Sequence, residues 1–147
     1  MGKSTTSIEI EASPEKVFAF IISEKMNDVT KDFIESKLTS AGPIGDGSTV
    51  HYVGVGRNKG EWDAEVTEFV KNKKLTMRTI GASKRALNST NSFTLEPTTK
   101  GTKVTYSIDY EMPYSILGKL IDELMVSKNL EKSNRTVLEN LKKALEA

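Results

Sequence analysis

His51 and Glu68 are the one place where this sequence offers an imidazole and a carboxylate to the same surface. Residues 48–56 and 61–70 alternate apolar with polar side chains, two strands joined by a turn at Arg57-Asn58-Lys59-Gly60. An even hairpin about Asn58-Lys59 sets Val55 opposite Trp62, Val53 opposite Ala64 and His51 opposite Val66. Tyr52, Gly54 and Gly56 then meet Glu65, Asp63 and Glu61 on the other side, an apolar-against-polar split of the kind that specifies register. Glu68 falls opposite Thr49 and diagonal to His51, about 7–8 Å away at the backbone and within reach of long side chains. An imidazole beside a partly desolvated carboxylate would work as an acid–base pair near neutral pH. A β-bulge between Val66 and Phe69 competes with this arrangement, turning Phe69 inward and Glu68 out to water. It removes the cost of a buried charge, so an exposed Glu68 is the expected outcome.

A second turn at Asn72-Lys73 sets Val66, Glu68 and Val70 opposite Thr79, Met77 and Leu75. The inward lining of the sheet then includes Ser36, His51, Trp62, Met77, Thr79, Asn91, Phe93, Tyr106 and Tyr110, with Leu120, Leu124 and Met125 above it as a lid. Polar groups are costly to bury unless paired or facing water, so hydroxyls and amides at Ser36, Thr79, Asn91, Tyr106 and Tyr110 suit an amphiphilic pocket. The competing arrangement is a filled core in which tyrosines reach the rim and serine and threonine bond locally. Lys84 and Arg85, adjacent cations in the loop from Gly81 to Asn88, stand where a cavity mouth would greet an anionic head group.

Other chemistries find little support. The sole histidine has no serine partner evident in the chain, and no acids pair at catalytic spacing on an inward face. Tyr106 and Tyr110 are weak acids in principle, but structural hydroxyls are commoner. Gly42-Pro43-Ile44-Gly45-Asp46-Gly47 lacks the lysine and the following helix of a phosphate loop. Asn88-Ser89-Thr90 and Asn134-Arg135-Thr136 match the glycosylation pattern without a secretory context, and Lys71-Asn72-Lys73-Lys74 reads as a solvated turn. With one histidine and no cysteine, a structural zinc site of the usual kind is excluded, and no metal or cofactor is expected. The net charge of +1, with both signs interspersed, gives no footprint for nucleic acid. No run of apolar residues is long enough to cross a membrane, and the N-terminus lacks the apolar core of a signal peptide. A single cytoplasmic domain over residues 1–147, monomeric or weakly dimeric, is the expectation.

These residues need a scaffold. Ile8 and Ile10 alternate with polar neighbours as a short strand, and Ser13-Pro14-Glu15 opens a helix as cap, first-turn proline and acid. Met26 to Phe33 forms at best a second short helix. Strands follow at Ile34–Thr39 and about Ser48–Gly56, Glu61–Val70, Leu75–Ile80, Ser89–Glu96 and Lys103–Met112. In the last of these Val104, Tyr106, Ile108, Tyr110 and Met112 share one face, which needs a cover. The stretch from Ser115 supplies it: Leu117, Leu120, Ile121, Leu124, Leu130, Val137, Leu138 and Leu141 recur at helical spacing. A helix to Ala144 would be about 45 Å long and cross the domain. Its two apolar halves are rotated by roughly 100° from each other, implying a kink between Val126 and Leu130 or two packing partners, of which two partners is the preferred explanation.

In this order, with Ile8-Glu9-Ile10-Glu11-Ala12-Ser13-Pro14-Glu15-Lys16-Val17-Phe18, the turn Gly45-Asp46-Gly47-Ser48, Trp62 to Val66, Phe93-Thr94-Leu95-Glu96-Pro97 and Gly118 to Leu124, the chain resembles the START-like and polyketide-cyclase superfamily, called SRPBCC, over nearly its whole length. The resemblance implies an α+β helix-grip fold: a curved antiparallel sheet of about seven strands gripping a long C-terminal helix, two short helices after the first strand, and a hydrophobic cavity between. Many relatives carry a tryptophan and a proline after the first helix, where this chain has Glu24-Lys25-Met26-Asn27-Asp28. Binding or transport of a small hydrophobic or amphiphilic ligand is the preferred function. A cyclase- or dehydratase-like enzyme and a co-chaperone-like interaction module remain alternatives.

Overall fold

The computed structural model describes residues 2–55, 60–82, 88–111 and 120–147. In chain order the elements are β1 (Gly2–Ile10), α1 (Pro14–Ile21), α2 (Met26–Thr30), β2 (Ile34–Leu38), β3 (Thr49–Gly54), β4 (Glu61–Val70), β5 (Lys74–Ala82), β6 (Asn88–Pro97), β7 (Thr102–Glu111) and α3 (Leu120–Glu146). The strands form one curved antiparallel sheet in the order β1-β7-β6-β5-β4-β3-β2. The two short helices carry the chain from one sheet edge, β1, to the other, β2. This is the helix-grip arrangement.

Local chemistry starts α1 as expected. The Ser13 hydroxyl accepts a hydrogen bond from the Lys16 amide at 3.3 Å, and Pro14 occupies the first turn, where an amide would go unpaired. Val17, Phe18 and Ile21 of α1 then bury against Ile10, Phe93, Leu95 and Val104 of the sheet and Val137, Leu138 and Leu141 of α3. The C-terminal half of α3 therefore closes a filled core. The helix passes through 126–130 as one element rather than two. It also runs beside β1: Ser127 Oγ donates to the Lys3 carbonyl at 3.1 Å, and Lys142 Nζ to the Glu9 carbonyl at 3.0 Å.

β1 is longer than the Ile8–Ile10 alternation indicated, reaching back to Gly2 and pairing with β7 over its whole length. Its inward positions there are Ser4 and Thr6, both buried, so no apolar pattern announced them. Between β4 and β5 the turn is centred on Asn72, whose left-handed backbone (φ 64°) permits a three-residue connection in place of the expected pair Asn72-Lys73. A register shift between Val66 and Glu68 leaves Thr67 bulged. The bulge turns Phe69 inward, where its ring meets Phe18 edge-on at 5.3 Å, and leaves Glu68 exposed.

The hairpin of β3 and β4 departs from expectation. Val50 pairs with Ala64, His51 with Asp63, Tyr52 with Trp62 and Val53 with Glu61. The pairing sum is three lower than in an even hairpin about Asn58-Lys59. An odd slip exchanges the two faces of β3 relative to β4, so Val50 and Tyr52 point inward while His51 and Val53 point out.

Candidate ligand cavity

Between the concave sheet face, α2 and the middle of α3 lies a cavity of about 700 Å³. The sheet supplies Tyr52 from β3, Trp62 from β4, Leu75 and Met77 from β5, Ser89, Asn91 and Phe93 from β6, and Tyr106, Ile108 and Tyr110 from β7. Met26, Asn27 and Thr30 of α2 and Asn129, Leu130, Ser133, Asn134 and Val137 of α3 close it.

Aromatic packing shapes the wall. Tyr52 and Trp62 stack with ring centroids 5.5 Å apart and planes 12° from parallel, and Phe93 meets Tyr106 edge-on at 4.3 Å. The Tyr52 hydroxyl donates to Met77 Sδ at 3.2 Å, a weak acceptor. Burial pushes the Tyr106 hydroxyl up to about 12. Burial, and then the neighbouring Tyr106, push Tyr52 higher still. Both phenols stay neutral across the physiological range and can donate hydrogen bonds, but neither serves as a base there.

Several buried polar atoms have no hydrogen-bond partner. Among the described residues they are Asn91 Oδ1, Tyr110 OH and Asn134 Nδ2, of residues that line the cavity, and Ser4 Oγ and Thr6 Oγ1 on the adjacent strand β1. Tyr110 is 1% exposed and Asn134 6%. A Cβ at Gly2 would overlap the Tyr110 ring, so the missing side chain there makes room for the tyrosine.

At the far margin Asn27 clips α2 to the edge strand. Its Oδ1 accepts from the Ser36 amide at 2.9 Å and from Ser36 Oγ at 3.1 Å, while Nδ2 donates to the Ser36 carbonyl at 3.1 Å. One side chain thus satisfies the exposed edge of β2 as a neighbouring strand would.

Of the residues singled out from sequence, Ser36, Trp62, Met77, Asn91, Phe93, Tyr106 and Tyr110 stand at the cavity wall. Thr79 shares the concave face, opposite Ala64, but bonds Ser89 Oγ at 3.4 Å instead of reaching the wall. His51 does not belong to the lining, because the slipped register of β3 turns it to the convex face. There its Nδ1 meets Asp63 Oδ1 at 2.8 Å and its Nε2 meets Glu61 Oε1 at 3.2 Å, with Lys37 opposite on β2. The Asp63 hydrogen bond, then that of Glu61, raises the His51 pKa above its usual value. Glu68 is paired with Lys74 at 3.0 Å instead. The acid–base pair His51–Glu68 therefore does not form. Lys84 and Arg85, and the side chains of Leu120, Leu124 and Met125, lie outside the described residues.

Sequence reasoning missed Tyr52 and the described α3 residues of the wall, from Asn129 to Val137. The signal for Asn134 was present: it sits in the helical stripe of Leu130, Val137, Leu138 and Leu141, a polar residue at an apolar position. No cluster of metal-ligating side chains occurs among the described residues, and none of their helices is long and apolar enough to cross a membrane.

Residues 1–146 match a family model described as polyketide cyclase / dehydrase and lipid transport. No curated protein matches the sequence. Among solved structures, the Thermus thermophilus protein TTHA0849 superposes with a TM-score of 0.80 at 19% identity, over 97% of this chain and 96% of that one. Ginseng major latex-like protein 151 from Panax ginseng gives 0.72 at 17% identity over 98% and 97%. The Aha1 dimer from Colwellia psychrerythraea gives 0.67 at 23% identity over 99% and 97%. At these identities the likeness is one of fold.

Proposed function

Since the chain belongs to the polyketide cyclase, dehydrase and lipid transport family, we propose that it binds a small hydrophobic or amphiphilic molecule in the cavity between sheet, α2 and α3. The observation that carries this reading is the conjunction of about 700 Å³ of space with wall residues that carry buried, unpartnered polar atoms. Ligand sites commonly enclose about 300–1,000 Å³ of mostly apolar wall with a few convergent polar groups. A solid core would instead close the space, since interiors are packed like organic crystals.

Binding is favoured over catalysis by what the described wall lacks. Its charged residues, Glu24 and Lys37, are exposed, and burial holds Tyr52 and Tyr106 neutral. A cyclisation or dehydration needs a group that takes a proton near neutral pH. The imidazole that could do so lies on the opposite face of the sheet.

Trp62 is the only tryptophan, and it lines the cavity, so its emission reports occupancy directly. Titration with Nile red should quench Trp62 by energy transfer and saturate at one molecule per chain. Native mass spectrometry of protein purified from its own host should show a co-purifying small molecule. A flat titration with no adduct would overturn the reading.

A further inference from the structure

We infer that the cavity selects an uncharged molecule bearing a hydroxyl or carbonyl group, and that Asn134, Tyr110 and Asn91 are the residues that read that group; the inference rests on the binding role proposed above. Three elements bring these side chains to one chamber. Asn134 comes from α3 above the sheet, while Asn91 and Tyr110 come from the concave face below. On β6 and β7, Asn91 lies opposite Ile108 and Ser89 opposite Tyr110, so Asn91 and Tyr110 are diagonal neighbours on one face. Each lines the cavity and carries a buried side-chain atom with no hydrogen-bond partner.

The chemistry of these atoms restricts the ligand. Carboxamides offer one donor side and one acceptor side whichever way they are turned, and a phenol both donates and accepts. None carries charge. The one cation among the described wall residues, Lys37, is exposed and lies opposite His51 on β2. A carboxylate brought here would lose its hydration and gain only neutral donors, and an ammonium only neutral acceptors. A hydroxyl or carbonyl keeps its hydrogen bonding and satisfies protein atoms that are otherwise unpaired, which is how a polar site discriminates most sharply. Ser4 and Thr6, unpartnered on the next strand, extend the same uncharged polar strip towards the sheet edge.

The test compares biphenyl, para-phenylphenol and biphenyl-para-carboxylate as competitors of Nile red at about pH 8, where a phenol (pKa about 10) is neutral and the carboxylic acid ionised. Para-phenylphenol should displace Nile red at a concentration at least about tenfold lower than the carboxylate, and lower than biphenyl. In Asn134→Leu and Tyr110→Phe the advantage of phenylphenol over biphenyl should shrink about three- to tenfold while biphenyl still binds, which also shows that the variants fold. If neither Nile red nor biphenyl binds, the binding role and this inference fall together. If biphenyl binds but the carboxylate competes as well as the phenol, only the inference is overturned. An undiminished phenol advantage in both variants would show that these side chains do not read the polar group.

Discussion

Leu130 and Leu141 lie on the same helix, eleven residues apart, one on the cavity wall and one in filled core. Truncating each to alanine separates those two environments energetically. Leu141 is 0% exposed, so Leu141→Ala removes about three carbon groups from a close-packed site, about 2.4 kcal/mol of transfer free energy. A void that cannot fully collapse adds roughly 24 cal/mol per Å³, bringing the expected loss to about 3–4 kcal/mol. Leu130 is only partly buried and already borders open space. Its truncation forfeits part of the transfer term and creates little new void, so about 1–1.5 kcal/mol is expected. In urea, with a slope of about 2 kcal/mol per molar, Leu141→Ala should lower the midpoint by about 1.5–2 M and Leu130→Ala by about 0.5–0.8 M at unchanged slope. Equal losses would mean that the space beside Leu130 is filled in solution, and the cavity with it.

His51 should titrate by NMR above its ordinary value of about 6.5, with Asp63→Asn lowering it more than Glu61→Gln and Glu68→Gln leaving it unchanged. Because the folded-state pKa is the higher one, this contribution to stability is complete below the unfolded value and is lost as pH rises through the folded value; stability rising across that window would contradict it. Asn27→Ala should unclip α2 from β2, accelerating hydrogen exchange at the Ser36 amide and both association and dissociation of Nile red, at a stability cost of about 1–3 kcal/mol. Unchanged Ser36 protection would show that the clip does not hold that edge.

How much of this was legible beforehand depended on whether a position was answerable to local chemistry. Ser13-Pro14 predicts its own helix start. The strict alternation from Lys103 to Glu111 orients β7 without reference to any other strand. The bulge at Thr67 was foreseeable because the alternative buried a carboxylate. Register between β3 and β4 was not so constrained. Each face of β3 carries a valine, Val50 on one and Val53 on the other, so both parities give a plausible apolar face. The length of the connection decided between them, and composition does not reveal it. The error then carried His51 across the sheet, because in a strand one odd step moves every side chain. The first half of β1 was hidden for a different reason. Its inward residues are Ser4 and Thr6, and hydrophobic periodicity is blind to a wall that is itself polar.

Asn134 joins these threads, because the same atom is a cost to the empty protein and an asset to a ligand. Its Nδ2 is buried without a partner, a state that costs about 1–3 kcal/mol. Asn134→Leu would make the stripe of Leu130, Val137, Leu138 and Leu141 continuous and remove the unpaired donor. The ligand-free variant should therefore be more stable by about 1–2 kcal/mol, raising Tm by about 2–8 °C for a domain of this size. Saturating para-phenylphenol should shrink that gap, since ligand binding stabilises wild type more than the variant in proportion to the lost affinity. Were the variant less stable than wild type when empty, Asn134 would be satisfied in solution by an ordered water with partners of its own. Asn134 would then be a structural residue, and the polar end of the cavity a hydrated one.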